Sequence, residues 1–212
     1  TCHAFGATSI TQDDISALKA KGNANNDWVV SLRLIEQAGV SGATLEAVTA
    51  KFEEFYQGTP TTPGLCELEE LIPAKGLLVE LHRRVGGNMA VVTGRPRKDC
   101  DKFLSTHGLS HLFRHCVCME DGPPKPSPAP VRAAAAALGV NPAGCLMVGD
   151  TVDDVIAGVE AGAMAVGVLT PELHAQLAVD RRAASEDAMV AAMSRAGALA
   201  VHPPGLAHLL DP

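Results

Sequence analysis

Apolar residues recur every three or four positions through the first 58 residues, a spacing typical of amphipathic helices. Thr11 starts a helix-capping pattern, and the polar residues 25–27 offer caps for a second helix that ends near Gly39. Residues 41–42 precede a third helix. The apolar face of this third helix is predicted to consist of Leu45, Val48, Phe52 and Phe55. The pattern predicts no strand in this part of the chain.

The next stretch, from Gly58 to Gly64, has the Gly, Pro and Thr composition of a linker. We therefore expect an all-helical domain over residues 1–70, followed by a second domain over residues 71–212.

After Pro73 the pattern changes to short apolar runs separated by helical segments. The predicted strands cover residues 89–93, 115–119, 145–148, 163–168 and 199–201. The predicted helices cover residues 74–84, 96–107, 126–138, 152–162 and 206–210. Strands that alternate with helices in this way predict an α/β fold, a Rossmann-like doubly wound parallel sheet with helices on both faces.

The charge balance narrows the range of partners. The 212 residues include 17 Lys and Arg against 24 Asp and Glu, a net charge of −7, so nucleic acid is not expected. No apolar run is long enough to span a bilayer and no signal-peptide pattern opens the chain, so no membrane is expected. The six cysteines then indicate reduced thiols and a cytoplasmic location, with targeting to an organelle left open. The oligomeric state is not readable.

A hydroxyl and a lysine stand at notable positions in the second domain. Thr93 ends a predicted strand and Gly94 follows, so the hydroxyl and nearby backbone N–H groups can face an anion; a simple turn is the alternative. Lys125 lies in a Pro- and Gly-rich loop where a helix starts. A cation is unfavourable there on helix-dipole grounds, which implies an anionic partner; a solvated loop lysine is the alternative.

Three carboxylates follow another predicted strand. That strand leads into Gly149 and Asp150, and Asp154 comes four residues later. At helical spacing Asp150 and Asp154 are expected to face the same way, and such close carboxylates require a cation or hydrogen bonds. Oxygen ligands of this kind suit Mg²⁺. The alternative is an acidic helix N-terminus, with Asp153 expected to be exposed.

A fourth polar cluster lies in the helical domain and could line a pocket for a small polar ligand, although a helix cap beside a buried Trp is the favoured interpretation. The cluster consists of Lys21, Asn25, Asn26, Asp27 and Trp28. Cys116 and Cys118 have no second ligand pair at zinc spacing, so we expect them in the core. His107, His111 and His115 recur every four residues but are not expected to share one helix.

The motifs stand in a fixed order: a helical domain, strand-Thr93-Gly-Arg, Lys125-Pro-x-Pro and Gly-Asp150-x-x-x-Asp. This order resembles the haloacid dehalogenase (HAD) superfamily of hydrolases, in particular the branch with an inserted helical cap that includes phosphoglycolate phosphatase. The resemblance covers nearly the whole chain. The spacings of 32 residues from Thr93 to Lys125 and 25 residues from Lys125 to Asp150 make it specific.

The resemblance implies a role for each matched residue. Thr93 and Gly94 would bind the phosphoryl group, and Lys125 would neutralise its oxygens. Asp150 would bind Mg²⁺, and Asp154 would bind it through water or orient the site. Residues 1–70 would form the cap that selects the substrate, through the polar cluster at 21–28. The implied reaction is Mg²⁺-dependent hydrolysis of a small phosphorylated metabolite through an aspartyl-phosphate intermediate.

The chain departs from the family at the nucleophile, because the family's first motif, Asp-x-Asp-x-Thr after an apolar strand, is absent. Asp99-Cys-Asp101 follows no strand and lies in a predicted helix. The chain also begins at Thr1 rather than at Met. We expect a fragment whose first, central strand is missing, since its loss leaves two unpaired sheet edges; a naturally truncated relative is the alternative. The strands containing Val92 and Val148 should then not pair, and should lie about 9–10 Å apart.

Two further functions are weighed against this one. A catalytically inactive binding or regulatory module, once fused to a metabolic enzyme, is the main alternative, since some members of the superfamily are fused to a histidine-pathway dehydratase. A dehalogenase of the same fold is the other, and Asp150 and Asp154 speak against it because that reaction uses no Mg²⁺.

Overall fold

The computed structural model describes residues 1–171 and 179–210. The chain divides into two compact units, Thr1–Glu70 and Leu71–Pro212. Within the described residues, no helix has the combination of length and apolarity needed to cross a membrane.

Three helices form the first unit: α1 at Gln12–Ala20, α2 at Asp27–Gln37 and α3 at Leu45–Gln57. Each begins after a polar N-cap, because a side-chain oxygen there accepts hydrogen bonds from otherwise unpaired N–H groups of the first turn. The caps are Thr11, Asn26 and Thr44. The core of the unit is formed by apolar residues of α2 and α3 that are fully buried, namely Leu34, Ile35 and Val48.

The predicted linker contains a small antiparallel pair, β1 at Gly58–Thr59 and β2 at Thr62–Pro63. The prediction that the first unit is all-helical is therefore wrong at this point. Gly58 has a φ of +82°, and a Cβ on Gly64 would lie 2.6 Å from the Gln57 carbonyl oxygen. The two glycines allow the chain to fold back on itself, which the composition indicated without showing that the flanks would pair.

The second unit alternates strands and helices as predicted. Its helices are α4 at Lys75–Arg84, α5 at Arg97–Thr106, α6 at Ala129–Leu138, α7 at Val152–Ala161 and α8 at Val179–Arg195. Its strands are β3 at Ala90–Val92, β4 at His115–Val117, β5 at Leu146–Gly149, β6 at Met164–Val168 and β7 at Ala200–His202. The predicted helix over 206–210 is only a short 3₁₀ turn, Ala207–Leu210, and α8 has no counterpart in the sequence prediction.

The strands pair in two separate parallel ladders. β3 pairs with β4, so that Val91 lies opposite Cys116. β5, β6 and β7 form the second ladder, in which Val148 lies opposite Val166. In the part of the chain that the structure describes, β3 and β5 share no ladder, which confirms that the strands of Val92 and Val148 do not pair. Their predicted separation stays a prediction.

Helices cover both faces of the β3–β4 ladder, because successive strand residues point to opposite sides. Val91 packs against a buried cluster that includes Leu78 of α4 and Leu104 of α5. Val92 packs against a second cluster with Val131 of α6 and residues of α7 and β5. The second cluster contains side chains of both ladders, so the two ladders share one core in an α/β fold.

The cysteines and histidines lie as the sequence predicted. All six cysteines are free thiols. Cys118 and Cys116 pack in the same apolar cluster as the buried Cys100, and burial raises the pKa of each of these thiols. His107 follows α5, His111 lies in a 3₁₀ turn and His115 begins β4, so the three do not share a helix.

Candidate active site around Lys125 and Asp154

The candidate site lies where β3 and β5 end, and Lys125 joins the two ends. Its Nζ donates a hydrogen bond of 3.2 Å to the carbonyl oxygen of Val92, the last residue of β3. The same ammonium forms an ion pair with Asp154 in the first turn of α7, just after β5. A single side chain therefore connects the exits of two strands that belong to different ladders.

The Lys125–Asp154 pair is buried, with the side chains only 9% and 4% exposed. The anionic partner predicted for Lys125 is thus present within the protein itself. Removing one member of a buried pair leaves an uncompensated charge in a low-dielectric environment, which typically costs about 3–5 kcal/mol. The pair fixes the position of the ammonium rather than leaving it on a mobile side chain.

The second carboxylate oxygen of Asp154 is held by Thr151. The Thr151 N–H and Oγ1–H donate to Asp154 Oδ2 at 3.0 and 2.8 Å, and the Asp154 N–H donates back to Thr151 Oγ1 at 3.2 Å. This reciprocal capping box starts α7. Gly149 lies against the Asp154 side chain, and a Cβ on Gly149 would come within 2.6 Å of Asp154 Oδ2. Gly149 is therefore required by close packing.

Two expectations about the acidic residues are wrong. Asp150 is exposed and precedes the N-cap, so it does not share a helical face with the buried Asp154. Asp153 was expected to be exposed but is only 2% exposed. The helix begins at Val152, as predicted, so Asp150 lies outside it. The helix dipole favours a carboxylate in the first turn, which offsets part of the cost of burying Asp153.

Thr93 and Gly94 follow β3 directly and are half-buried. The Thr93 N–H donates to the Val117 carbonyl at 2.9 Å, and its hydroxyl oxygen accepts from the Arg95 N–H at 3.1 Å. The second bond orients the Thr93 side chain, and a hydroxyl that accepts in this way can still donate its proton to an anion.

The predicted cluster of the first unit is in part a helix cap. Asn26 Oδ1 accepts from the Trp28 and Val29 N–H groups at 3.0 and 3.1 Å, and Asp27 pairs with Lys19 at 3.7 Å. Trp28 is partly buried. The helix-cap interpretation is therefore correct for Asn26. A role in substrate selection stays a prediction for the whole cluster of Lys21, Asn25, Asn26, Asp27 and Trp28.

The described residues do not by themselves complete a metal site. Among residues 1–171 and 179–210, no three His, Cys, Asp or Glu side chains are grouped so as to hold an ion. Both oxygens of Asp154 already accept hydrogen bonds, from Lys125 and Thr151. Asp150 is the exposed carboxylate at this position.

Sequence reasoning missed Thr151, although a usable signal was present. Thr151 and Asp154 have the same three-residue spacing as Thr11 and Asp14, which the helix-capping argument had recognised. The contribution of the Val92 carbonyl has no sequence signal, because any residue carries that group.

The sequence matches a family model and several known proteins. A family model described as haloacid dehalogenase-like hydrolase matches residues 32–168. An imidazoleglycerol-phosphate dehydratase of Phytophthora nicotianae is 54% identical over 215 residues, covering all of this chain and 46% of that protein. A phosphoglycolate phosphatase of Haemophilus influenzae is 34% identical over 125 residues, covering 58% of this chain and 54% of that protein.

The fold is also similar to that of a solved structure. The crystal structure of a phosphonoacetaldehyde hydrolase-like protein from Oleispira antarctica superposes with a TM-score of 0.66 at 18% identity, covering 91% of this chain and 75% of that one. The chain spans about half the length of the two relatives above. The matching family model, the fold and the order of Thr93, Lys125 and Asp150 lead to one conclusion: the chain belongs to the haloacid dehalogenase-like hydrolase family.

Proposed function

We propose that the protein to which this chain belongs is a phosphatase that hydrolyses a small phosphorylated metabolite. The observation that carries the proposal is the buried Lys125–Asp154 pair, which holds an ammonium beside the exits of β3 and β5. Preorganised charge in a partly dehydrated site stabilises the oxygens of a transferring phosphoryl group, which is the main requirement of this chemistry. The phosphatase named among the relatives adds support.

Each residue of the site has a proposed task. The Thr93 hydroxyl and the backbone N–H of Gly94 bind phosphoryl oxygens, and Lys125 neutralises their charge. Asp154 and Thr151 orient Lys125 through the hydrogen bonds described above. Asp150 would supply one oxygen to Mg²⁺, and the remaining ligands would come from water and from groups outside the described residues. When bound, Mg²⁺ would offset the negative charge of the phosphoryl group and the nucleophile.

The nucleophile is proposed to be an Asp carboxylate on a strand that lies upstream of this chain and between β3 and β5. Both strands have an unpaired edge there in the described residues, and unpaired edges are unfavourable in a buried parallel sheet. The carboxylate attacks phosphorus, the P–O ester bond breaks, and the leaving oxygen takes a proton from the second Asp of the same upstream motif, which recovers it from the water of the next step. Water then hydrolyses the acyl phosphate, releasing inorganic phosphate and regenerating the carboxylate.

The test uses the full-length protein with a panel of phosphate monoesters, with and without Mg²⁺. We expect Mg²⁺-dependent release of phosphate, and a fall in kcat of about 10²-fold or more in Thr93→Val, because a donor to the transition state is lost. Thr59→Val makes the same chemical change at an exposed position and should leave kcat unchanged. Phosphate release that is equal in both variants contradicts the proposed site.

Residues 1–70 are proposed to act as the substrate-selecting cap. Asn26→Ala and Trp28→Ala should change the preference among phosphate monoesters more than they change the dependence on Mg²⁺. Asn26 also caps α2, so its variant is compared with Thr44→Ala, which removes the cap of α3 at a comparable cost. If the preference profile is the same in all three variants, the cap assignment is wrong.

A second candidate function is a non-catalytic module attached to a metabolic enzyme. It is favoured by the Phytophthora relative, whose name describes a dehydratase and of which this chain matches only 46%. The sequence upstream of residue 1 in the full-length protein distinguishes the two candidates. An apolar strand there that ends in Asp-x-Asp would identify the enzyme. Dehalogenase activity is disfavoured because the acidic residues Asp150 and Asp154 have no role in that metal-free reaction.

A further inference from the structure

The loop after β3, residues 93–96, remains hydrogen-bonded to the neighbouring segment after β3 and β4 have ended. The Thr93 N–H donates to the Val117 carbonyl at 2.9 Å, and the Met119 N–H donates to the Arg95 carbonyl at 3.0 Å. The segment that follows β4 therefore holds this loop at its start and in its middle. A third contact is made at the far end of the loop, where α5 begins.

The first residue of α5, Arg97, takes its hydrogen-bond acceptor from outside the helix. The N-cap of α5 is Pro96, which makes no side-chain hydrogen bond because a proline ring carries no acceptor. By contrast, α7 follows β5 with a cap of its own, Thr151. At α5 the Arg97 N–H donates to both carboxylate oxygens of Glu120, at 3.1 and 3.2 Å. The helix dipole also favours a carboxylate at this end.

The turn that presents Glu120 is closed by its own hydrogen bond and is held by Arg97. The Cys118 N–H donates to Asp121 Oδ2 at 2.7 Å. The Arg97 guanidinium forms an ion pair with Asp121 and donates to the Cys116 carbonyl oxygen at 3.0 Å. The start of α5 is therefore bound to this turn through both the backbone and the side chain of one residue.

Glu120 is exposed, so its hydrogen bonds contribute little to the stability of the whole fold. Their effect is local, because they fix the far end of a loop of only four residues. A loop fixed at both ends holds its donors in one place, whereas a loop released at one end samples other conformations. In a catalytic site a displacement of about 1 Å can cost about 10²-fold in rate.

We propose that Glu120 is a positioning residue for the phosphoryl-binding loop, an inference that rests on the proposed function. Glu120 fixes the end of the loop at α5, and thereby holds the Thr93 hydroxyl and the Gly94 N–H where they bind phosphoryl oxygens. It acts through the loop, and the substrate contacts Thr93 and Gly94 instead. The feature that matters is an acceptor oxygen for the Arg97 N–H, which a Gln at position 120 can also supply.

The test measures hydrolysis of a phosphate monoester by the full-length protein with Mg²⁺. Glu120→Ala should lower kcat by about tenfold, because the acceptor is lost and the loop shifts. Glu120→Gln keeps one acceptor oxygen and should retain at least about half of the parent kcat. Asn141→Ala is the matched control. It removes an exposed side chain that accepts from the Ala143 N–H at 2.9 Å, ahead of β5, and should leave kcat unchanged.

A double-mutant cycle separates positioning of Thr93 from a general loss of structure. Since Glu120 acts through the loop, Glu120→Ala should lower kcat by less than about threefold in a protein that already carries Thr93→Val. A fall of about tenfold in both backgrounds would overturn the inference. An equal fall in Glu120→Ala and Asn141→Ala would overturn it as well. Because Glu120 is exposed, all these single variants at position 120 should keep the parent circular dichroism spectrum.

Binding of inorganic phosphate, measured by isothermal titration calorimetry, gives a readout that does not depend on turnover. Glu120→Ala should weaken phosphate binding by about fivefold or more, and Glu120→Gln and Asn141→Ala by no more than about twofold. A parent that binds phosphate but hydrolyses no monoester would contradict the proposed phosphatase, while weaker binding in Glu120→Ala would still support the role of Glu120. Unchanged or tighter binding in Glu120→Ala, or a parent that binds no phosphate, would overturn that role.

Discussion

Two capping boxes with the same sequence pattern should differ sharply in their contribution to stability. In the first unit, Thr11 Oγ1 donates to Asp14 Oδ2 at 2.7 Å and accepts from the Asp14 N–H at 3.4 Å. In the second unit, Thr151 makes the corresponding bonds to Asp154 at 2.8 and 3.2 Å. Asp14 is exposed, whereas Asp154 is 3% exposed and forms an ion pair with Lys125.

The perturbation is Thr→Val at each cap, which removes the hydroxyl and keeps the shape. Loss of an exposed cap costs about 0.5–1 kcal/mol, because water replaces the missing hydroxyl. For Thr151 the same cap loss is joined by an unsatisfied hydrogen bond of a buried carboxylate, about 1.5–3 kcal/mol. We therefore expect Thr151→Val to lower the free energy of unfolding by about 2 kcal/mol more than Thr11→Val does.

The assay is urea unfolding followed by circular dichroism, with Trp28 fluorescence as a separate probe of the first unit, since it is the single Trp of the chain. Thr151→Ser keeps the hydroxyl and should recover most of the lost stability. Equal destabilisation by Thr11→Val and Thr151→Val would refute the argument that the buried Lys125–Asp154 pair depends on this cap.

Three further perturbations test other parts of the site. Lys125→Met should lower the free energy of unfolding by about 3–5 kcal/mol in urea unfolding, and the double variant Lys125→Met/Asp154→Leu should lower it by clearly less. A loss in the double variant equal to the sum of the losses in Lys125→Met and Asp154→Leu contradicts the buried pair. Gly149→Ala should destabilise the protein by more than about 2 kcal/mol in the same assay, because its Cβ overlaps Asp154; a neutral result would contradict this packing. The Cys118 N–H and then Arg97 hold the pKa of Asp121 below its usual value, so its folded-state pKa is lower than its unfolded one. Asp121→Asn should therefore lose stability relative to the parent above about pH 5, with the difference shrinking below about pH 4 in unfolding curves; a difference independent of pH opposes it.

The alternation of strands and helices after Pro73 was predictable because buried parallel strands are short apolar runs and their connecting helices are amphipathic. The motif order also predicted that β3 and β5 do not pair, as found in the described residues. Helix α8 was not predicted, because its apolar side is mostly Ala. Its buried Met189 and Met193 give only a weak helical signal.

At the candidate site, sequence identified Lys125 and the acidic segment but not their geometry. Spacing alone placed Asp150 and Asp154 together, whereas the cap at Thr151 separates an exposed carboxylate from a buried one. The i, i+4 argument holds only when both residues lie inside the helix, and Asp150 precedes its N-cap.

The most direct test of the proposed phosphatase is to locate its phosphorylated residue. The full-length protein would be incubated with a hydrolysed phosphate monoester and Mg²⁺, quenched with hydroxylamine, digested and sequenced by mass spectrometry. Our account predicts that the modified residue is an Asp in a peptide upstream of Thr1, at the end of an apolar strand. A modified residue within the 212 residues, or turnover without any modified Asp, would contradict it.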